Sequence, residues 1–249
     1  MDHYFTCGGV PKITLSYLKT LDKKALQKNI SFYLENLKDD FLKMFSEEYT
    51  NLFDRAINSV ANILGYPYKK TAMIQNNDRL ANNILSILEK WKLIYKIEQK
   101  SQNPAASNSF FPKRYLFDVG VAKQRRELGI PSIDLIQTLQ AKQREPLGGL
   151  IEQYVCLEFI RQGYEICGFK DRSYEIDFMI KGEEMVPVEC KAALKVNKKH
   201  FRGLDLYNQF YHNQKAVLLT LAPYQKIKRD HYEIVYLPLY ALDCYEKLI

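Results

Sequence analysis

The sequence is poor in the features that mark several large classes of protein. Its five cysteines are odd in number, widely spaced and without a CxxC pair, so they indicate neither a zinc site nor a disulfide framework. No apolar run approaches the length of a membrane span, and the first residues lack the basic-then-apolar pattern of a secretory signal. We therefore expect a protein of the reducing cytoplasm that does not enter a membrane.

The sequence also lacks the G-x-x-x-x-G-K-[ST] pattern of a nucleotide-binding loop. Gly8 and Gly9 are followed by Val10, Pro11 and Lys12, a spacing that cannot cradle phosphates in that manner. ATP binding is therefore not predicted for this chain.

The composition is that of a globular protein with a basic surplus. With 249 residues, of which 47% are hydrophobic, the chain can bury a sizeable core, and its length favours two domains. Lysine and arginine outnumber aspartate and glutamate by 36 to 29, which gives a formal net charge of +7. This surplus suits a polyanionic partner such as nucleic acid without requiring one.

The most informative stretch is YEIDFMIKGEEMVPVECK, residues 174–191, which is typical of a β-hairpin with its turn centred on Glu183. In that register three cross-strand pairs are apolar. The pairs are Phe178 with Val188, Ile176 with Cys190, and Ile180 with Val186. A slip of one residue would mix apolar and polar side chains on each face, so the pattern specifies its own register.

The same register gathers polar side chains on the other face, with Asp177 opposite Glu189 and Lys191 two residues further along. Two carboxylates beside a lysine favour a Mg²⁺ or Mn²⁺ site, to which the Cys190 carbonyl would be a further ligand. Lys191 would then activate a water molecule or stabilise charge on a phosphate. The spacing resembles the PD-(D/E)xK phosphodiesterase signature. The alternative is a solvated hairpin that carries these charges on its outer face.

Helical periodicity dominates the N-terminal half, with strand-like stretches after it. Helices are predicted over residues 11–21, 24–45, 51–64 and 78–90, with a short helical segment at 69–74, strands at 91–98 and 114–117, and a polar loop at 99–108. Three helices and a two-stranded wing predict a winged helix-turn-helix within a first domain, residues 1–122. Its 78–90 helix would contact either DNA or protein.

Residues 123–147 are predicted to be a partly helical connecting segment with an apolar patch at 133–139, and a second domain follows over 148–249. Its predicted elements are a helix at 148–163, strands at 164–169 and in the hairpin, a helix at 204–210, strands at 216–221 and 233–237, and a terminal helix at 240–248. The order α-β-β-β-α-β is that of the restriction-endonuclease-like fold. The predicted fold class is thus mixed α/β, a winged-helix domain followed by a nuclease-like domain.

Two further groups extend the predicted site. Glu152 lies in the first helix of the second domain, from which nuclease-like cores often lend an acidic residue to the metal; the alternative is a surface glutamate. A basic stretch after the hairpin would meet phosphates or form a solvated charged face. Its members are Lys195, Lys198, Lys199 and Arg202. Of the histidines only His200 falls near the site, and a surface role is favoured for it.

Several short stretches resemble the C-terminal portion of bacterial and archaeal AAA+-type ATPases, in which a winged helix joins a PD-(D/E)xK-like domain. They are GGVPK (8–12), LGYPYKKTAMIQNN (64–77), YLFDVGVA (115–122), GGLIEQYV (148–155), YEIDF (174–178), PVECKA (187–192) and VYLPLYAL (235–242). The resemblance implies an association with an AAA+ ATPase in cis or in trans, the chain being either a fragment of a larger protein or a separate module.

Together these patterns favour a metal-dependent nucleic-acid phosphodiesterase, with DNA preferred over RNA. Asp177 and Glu189 would hold Mg²⁺, Glu152 would assist, and Lys191 would act on water or phosphate. The alternative is a non-catalytic DNA- or protein-binding regulatory module that retains the nuclease fold. A divalent ion bound at Asp177 and Glu189 would favour the first reading, and a dry site with Lys191 salt-bridged to Asp177 or Glu189 would favour the alternative.

Overall fold

The computed structural model describes residues 2–45, 49–103, 110–126, 138–171, 173–182, 184–229 and 231–248 and, of residues 141, 142 and 145, the backbone alone. The predicted turn residue Glu183 and residues 133–137 of the predicted apolar patch lie outside the described residues. Helix accounts for 52% of the structure and strand for 20%, so the chain is mixed α/β, as predicted.

The chain forms two compact units. Residues 1–96 with 114–135 make the first, and residues 97–113 with 136–249 make the second. This division differs from the predicted boundaries chiefly in that residues 97–113 belong to the second unit. The sequence assigns them to a wing of the first domain because they lie between its two predicted strands.

The first unit is mainly helical. Its helices are α1 (Asp2–Cys7), α2 (Pro11–Thr20), α3 (Lys23–Leu42), α4 (Thr50–Asn62), α5 (Asp78–Lys90) and α6 (Val119–Arg125), and a 3₁₀ turn covers Lys70–Ala72. Strands β1 (Ile94–Ile97) and β3 (Lys113–Leu116) pair as a two-stranded sheet, of which Ile97 and Lys113 belong to the second unit. The four long helices are confirmed to within about three residues, whereas α1 and α6 were not predicted.

Local signals explain why the predicted helices form where they do. Asp22 accepts hydrogen bonds from the first amides of α3, and Asn77 accepts one from Leu80 at the start of α5, so both helices have a capping side chain. The buried side chains of α3 and α5 recur at intervals of three and four residues, as an amphipathic helix requires. They are Leu26, Ile30, Leu34 and Phe41 in α3, and Ala81, Ile84, Leu85 and Leu88 in α5.

The Gly8-Gly9 stretch is bound by a buried carboxylate. Asp118 accepts a hydrogen bond from the Gly9 amide at 2.6 Å and another from the Val121 amide at 2.9 Å, so one side chain holds this turn and caps α6. Burial raises the pKa of Asp118, while these amide hydrogen bonds oppose the rise. The glycines thus serve a contact within the first unit.

The second unit is built on a seven-stranded mixed sheet in the order β2-β4-β5-β6-β7-β9-β8. Its strands are β2 (Gln99–Lys100), β4 (Ile166–Lys170), β5 (Glu175–Lys181), β6 (Met185–Cys190), β7 (Lys215–Thr220), β8 (Gln225–Lys228) and β9 (Glu233–Pro238). Helix α7 (Ala141–Arg161) precedes β4, and α8 (Arg202–Tyr211) joins β6 to β7. A 3₁₀ turn, Leu239–Cys244, leads into the short helix α9 (Tyr245–Leu248).

The β5–β6 hairpin has the predicted register, since Phe178 pairs with Val188 and Ile180 with Val186. The parallel pairing of β6 with β7 and of β7 with β9 places the hairpin in the middle of the sheet. Phe178 meets Phe159 of α7 edge to face, with ring centroids 6.3 Å apart. On α8, Leu204 and Tyr207 belong to the buried apolar cluster of this unit.

Two strands and one helix start were not predicted. β2 pairs in parallel with β4 although its residues are polar, and β8 is an edge strand whose alternating lysines resemble a loop in sequence. Helix α7 begins within the predicted connecting segment and continues through Pro146, because Leu147, Leu150 and Ile151 are fully buried.

In the described part of the chain, no helix is long and apolar enough to cross a bilayer.

Two glycine substitutions test the packing of the units. A Cβ at Gly120 would lie 2.6 Å from the backbone carbonyl of Cys7, whereas one at Gly148 in α7 would meet nothing within 4 Å. We expect Gly120→Ala to destabilise the protein by about 1–3 kcal/mol, because the Cys7 backbone would have to shift to accommodate the new methyl group. Gly148→Ala should be neutral or stabilise by up to about 1 kcal/mol, as alanine favours the helix. Thermal unfolding measures both, and a Gly120→Ala protein as stable as wild type would contradict the packing described.

Candidate functional site: a buried cluster of carboxylates and lysines

The hairpin brings its three predicted site residues together. The Lys191 ammonium lies 2.5 Å from Glu189 Oε2 and 3.7 Å from Asp177 Oδ2. Asp177 Oδ2 also accepts a hydrogen bond from the Cys190 amide at 2.9 Å. Cys190, predicted to offer its carbonyl to a metal, therefore contacts the site through its N–H group.

A second lysine, which the sequence did not reveal as part of the site, lies on the other side of Asp177. The ammonium of Lys113, at the start of β3, lies 2.7 Å from Glu175 Oε1, 3.0 Å from Glu152 Oε2 and 3.3 Å from Asp177 Oδ1. Its side chain is only 1% exposed. Glu152 thus joins the site as predicted, but it does so by contacting Lys113.

A third lysine completes the cluster of opposite charges. Lys170 on β4 lies 3.2 Å from Glu175 Oε2, whereas the Lys113 ammonium lies 2.7 Å from Glu175 Oε1. The acidic cluster is hereafter the set of four carboxylates, Glu152, Glu175, Asp177 and Glu189, with the ammonium groups of Lys113, Lys170 and Lys191. Four acids against three lysines leave one formal negative charge if every group is ionised.

The two buried hairpin carboxyls have opposite pKa displacements. Burial alone would raise the pKa of Asp177, but the charges of Lys191 and Lys113 and the Cys190 amide lower it to about 2. Burial and the neighbouring Asp177 charge raise the pKa of Glu189 to about 8, against the lowering effect of Lys191. The pKa of Lys191 is raised because both carboxylates outweigh its burial. The surroundings therefore favour the ionised form of Asp177 and the protonated form of Glu189.

A cleft of about 200 Å³ opens beside Glu189 and Lys191. Two residues of the predicted basic stretch, Lys199 and Arg202, line it, whereas Lys195 and Lys198 are not among its lining residues. His200 also lines the cleft, which differs from the surface role favoured by the sequence. Burial and the charges of Lys191 and Arg144 lower the pKa of His200.

Gly203, at the start of α8, lets the helix approach the carboxylates closely. A Cβ at this position would lie 2.8 Å from Glu189 Oε1 and 3.0 Å from the Glu175 carbonyl oxygen. Both distances are shorter than ordinary van der Waals contact, so any larger residue would displace the Glu189 side chain. The floor of the cleft therefore depends on a residue without a side chain.

The acidic cluster does not fit a divalent metal ion as it stands. Both oxygens of Asp177 are engaged, one by Lys113 and the other by the Cys190 amide. The Glu152 and Glu175 carboxylates converge on an ammonium group. Among the described residues, no group of three or more acidic, histidine or cysteine side chains is arranged to hold a metal ion.

Sequence reasoning missed Lys113, Glu175 and Lys170. Glu175 is two residues before Asp177 on β5, and side chains two residues apart in a strand point to the same face. The sequence could therefore have placed Glu175 beside Asp177. Lys113 carries a weaker signal: it shares one face of β3 with the fully buried Tyr115. No feature of the sequence connects it to Asp177, 64 residues away.

Each half of the chain matches a known protein family model. Residues 1–132 match a domain of unknown function, DUF8612, and because this match covers more than half of the chain, the protein belongs to that family. Residues 147–241 match a second domain of unknown function, DUF4143, which is typically found C-terminal to AAA ATPase domains. No curated protein and no solved structure matches the chain significantly.

The raised pKa of Glu189 predicts a specific dependence of stability on pH. A carboxyl group that binds its proton more tightly in the folded state favours folding at low pH, and this stabilisation is lost as the pH rises from its ordinary value towards about 8. We expect Glu189→Gln, which mimics the protonated side chain, to lose less stability than wild type between about pH 5 and about pH 8. The difference should exceed about 1 kcal/mol, since one pKa unit corresponds to about 1.4 kcal/mol.

Urea unfolding at the two pH values measures this difference. Glu165→Gln is the matched control, because Glu165 is an exposed carboxylate of the same unit paired with Lys181 and its pKa is lowered. That variant should follow the wild-type pH dependence over this range. Parallel pH profiles for wild type and Glu189→Gln would show that Glu189 is ionised in the folded protein.

Proposed function

We propose that the second unit binds the phosphate backbone of nucleic acid in the cleft beside the acidic cluster, as a non-catalytic module with the strand and helix order of a nuclease. The observation that carries the proposal is the set of cationic side chains around this cleft. Lys199 and Arg202 line its wall together with Lys191. Lysine and arginine contacts to phosphates supply most of the affinity of proteins for nucleic acid.

The charges of the cleft support phosphate as the ligand. Glu175 and Glu189, its acidic lining residues, already contact lysines of the acidic cluster. Lys199 and Arg202 have no ion-pair partner within the described ranges, so their charges remain available to an anion. The formal net charge of +7 would attract a polyanion over a longer range.

The architecture is consistent with this function. The order α7, β4, β5, β6, α8, β7 follows the α-β-β-β-α-β order of restriction-endonuclease-like domains, which supports that assignment for the second unit. We further propose that α4, α5 and the β1–β3 pair form a winged helix.

The DUF4143 match supports an AAA+ ATPase as a partner in cis or in trans. The five free cysteines suit the reducing cytoplasm.

The second candidate function is a metal-dependent phosphodiesterase. It is favoured by the convergence of Asp177, Glu189 and Lys191, of which Glu189 and Lys191 line the cleft. The pairing of these groups with one another and with Lys113 weighs against it, because a nuclease site must offer its carboxylate oxygens to Mg²⁺. We therefore place nucleic-acid binding first and cleavage second.

Binding and cleavage are separable in one set of experiments. Labelled single-stranded, duplex and branched DNA, and RNA, are incubated with the full chain in MgCl₂ or MnCl₂ and in chelator. We expect binding that survives the chelator and no cleavage. Metal-dependent cleavage that is lost in Asp177→Asn and Lys191→Ala would instead establish the phosphodiesterase.

The cleft residues should account for the dependence of binding on salt. We expect Lys199→Gln and Arg202→Gln each to weaken binding and to reduce the slope of log Kobs against log salt by about 1, because each removes one phosphate contact. Fluorescence anisotropy between about 50 and 200 mM salt measures the slope. Lys181→Gln, which removes an exposed lysine of the same unit, is the control and should change it less. Equal effects of all three substitutions would contradict a specific role for the cleft.

A further inference from the structure

We infer that the ammonium group of Lys113 takes the place of a divalent cation in the acidic cluster, as a counter-ion attached to the chain itself. Its nitrogen lies within 2.7–3.3 Å of carboxylate oxygens from three residues, Glu152, Glu175 and Asp177. These residues come from α7 and β5, so one cation joins two separate elements. The inference does not depend on nucleic-acid binding by the cleft.

The chemistry of an ammonium group suits this position. It has three N–H donors and no acceptor, and here it meets three carboxylates. A Mg²⁺ ion would require oxygens at about 2.0–2.1 Å in near-octahedral geometry, usually with several waters. The observed distances of 2.7–3.3 Å are those of ammonium–carboxylate ion pairs and are longer than metal–oxygen bonds. Lys113 is also 1% exposed, so water would not readily take over its contacts.

The charge of the cluster leads to the same conclusion. Three lysines face four carboxylates, so at most one formal negative charge is left uncompensated. A divalent ion would therefore bring more positive charge than the cluster lacks and would lie beside the fixed charge of Lys113, both of which oppose its binding.

The decisive variant is Lys113→Met, which keeps the aliphatic length of the side chain and removes its charge. The three carboxylates would then lose their shared counter-ion, with only Lys170 left beside Glu175 and Lys191 beside Asp177. We expect the variant to gain affinity for Mn²⁺ and Mg²⁺ that wild type lacks. Lys181→Met is the matched control, since it removes a lysine paired with the surface carboxylate of Glu165. Isothermal titration with MnCl₂ and with MgCl₂ measures binding to all three full-length proteins.

Thermal unfolding gives a second measurement that does not require the metal-free variant to be stable. Lys113→Met should unfold at a lower temperature than wild type in chelator. Its midpoint should rise by roughly 5–10 °C at a Mn²⁺ concentration about 100 times Kd, because a ligand that binds only the folded state stabilises it. Wild type and Lys181→Met should not shift in this way. Adding Asp177→Asn to Lys113→Met should reduce the gain.

The remaining outcomes overturn the inference. Saturable Mn²⁺ binding by wild type that is lost in Asp177→Asn would show that a metal site coexists with Lys113. A folded Lys113→Met protein without metal affinity would show that the carboxylates do not form a cation site. A Lys113→Met protein that fails to fold both in chelator and in MnCl₂ would equally contradict the exchange of lysine for metal.

Discussion

The second unit depends on the burial of the Lys113 ammonium among carboxylates. A lysine that is 1% exposed is stable as a charged group only if its partners compensate for the lost hydration. Glu152, Glu175 and Asp177 do so, and in return they are held by a cation that cannot diffuse away. Removing one partner of a buried ion pair typically costs about 3–5 kcal/mol. The positions of α7 and β5 around this point are therefore strongly coupled.

The two buried carboxyl groups of the hairpin, Asp177 and Glu189, lie in different electrostatic surroundings. Asp177 and Glu189 are both buried, but two lysines and the Cys190 amide surround the first, whereas the second faces the charge of Asp177. Their pKa values are displaced in opposite directions for this reason. In enzymes such a separation often distinguishes a proton donor from an ionised partner. Here the same asymmetry favours a proton on Glu189 rather than on Asp177.

Local patterns account for most of what could be predicted. The pairing of Phe178 with Val188 follows from the alternation of apolar side chains within one hairpin, and α5 follows from its cap at Asn77 and its apolar spacing. Lys113 could not be found in this way, because its partners lie 39 and 64 residues away along the chain. The predicted site contained three carboxylates, Asp177, Glu189 and Glu152, and only one lysine, Lys191. This excess of negative charge was the available signal that another cation was required.

The remaining errors have similar physical causes. Strand β2 is polar, and only its pairing with β4 identifies it as part of the sheet. The first turns of α7 precede Pro146 and Gly148, which usually end or interrupt helices, so the sequence places its start too late. The helix starts at a capping box in which the Gln143 side chain accepts a hydrogen bond from the Gln140 amide at 2.8 Å. Sequence periodicity thus predicted elements that form from their own residues. It missed those that tertiary pairing stabilises.

The most direct test of the central claim is anomalous diffraction from crystals of the wild-type protein grown in MnCl₂. We expect density for the Lys113 ammonium between Glu152, Glu175 and Asp177, and no anomalous peak among their oxygens. A manganese peak coordinated by Asp177 and Glu152, with the Lys113 side chain displaced from them, would contradict the assignment. It would restore the metal site that the hairpin motif predicts.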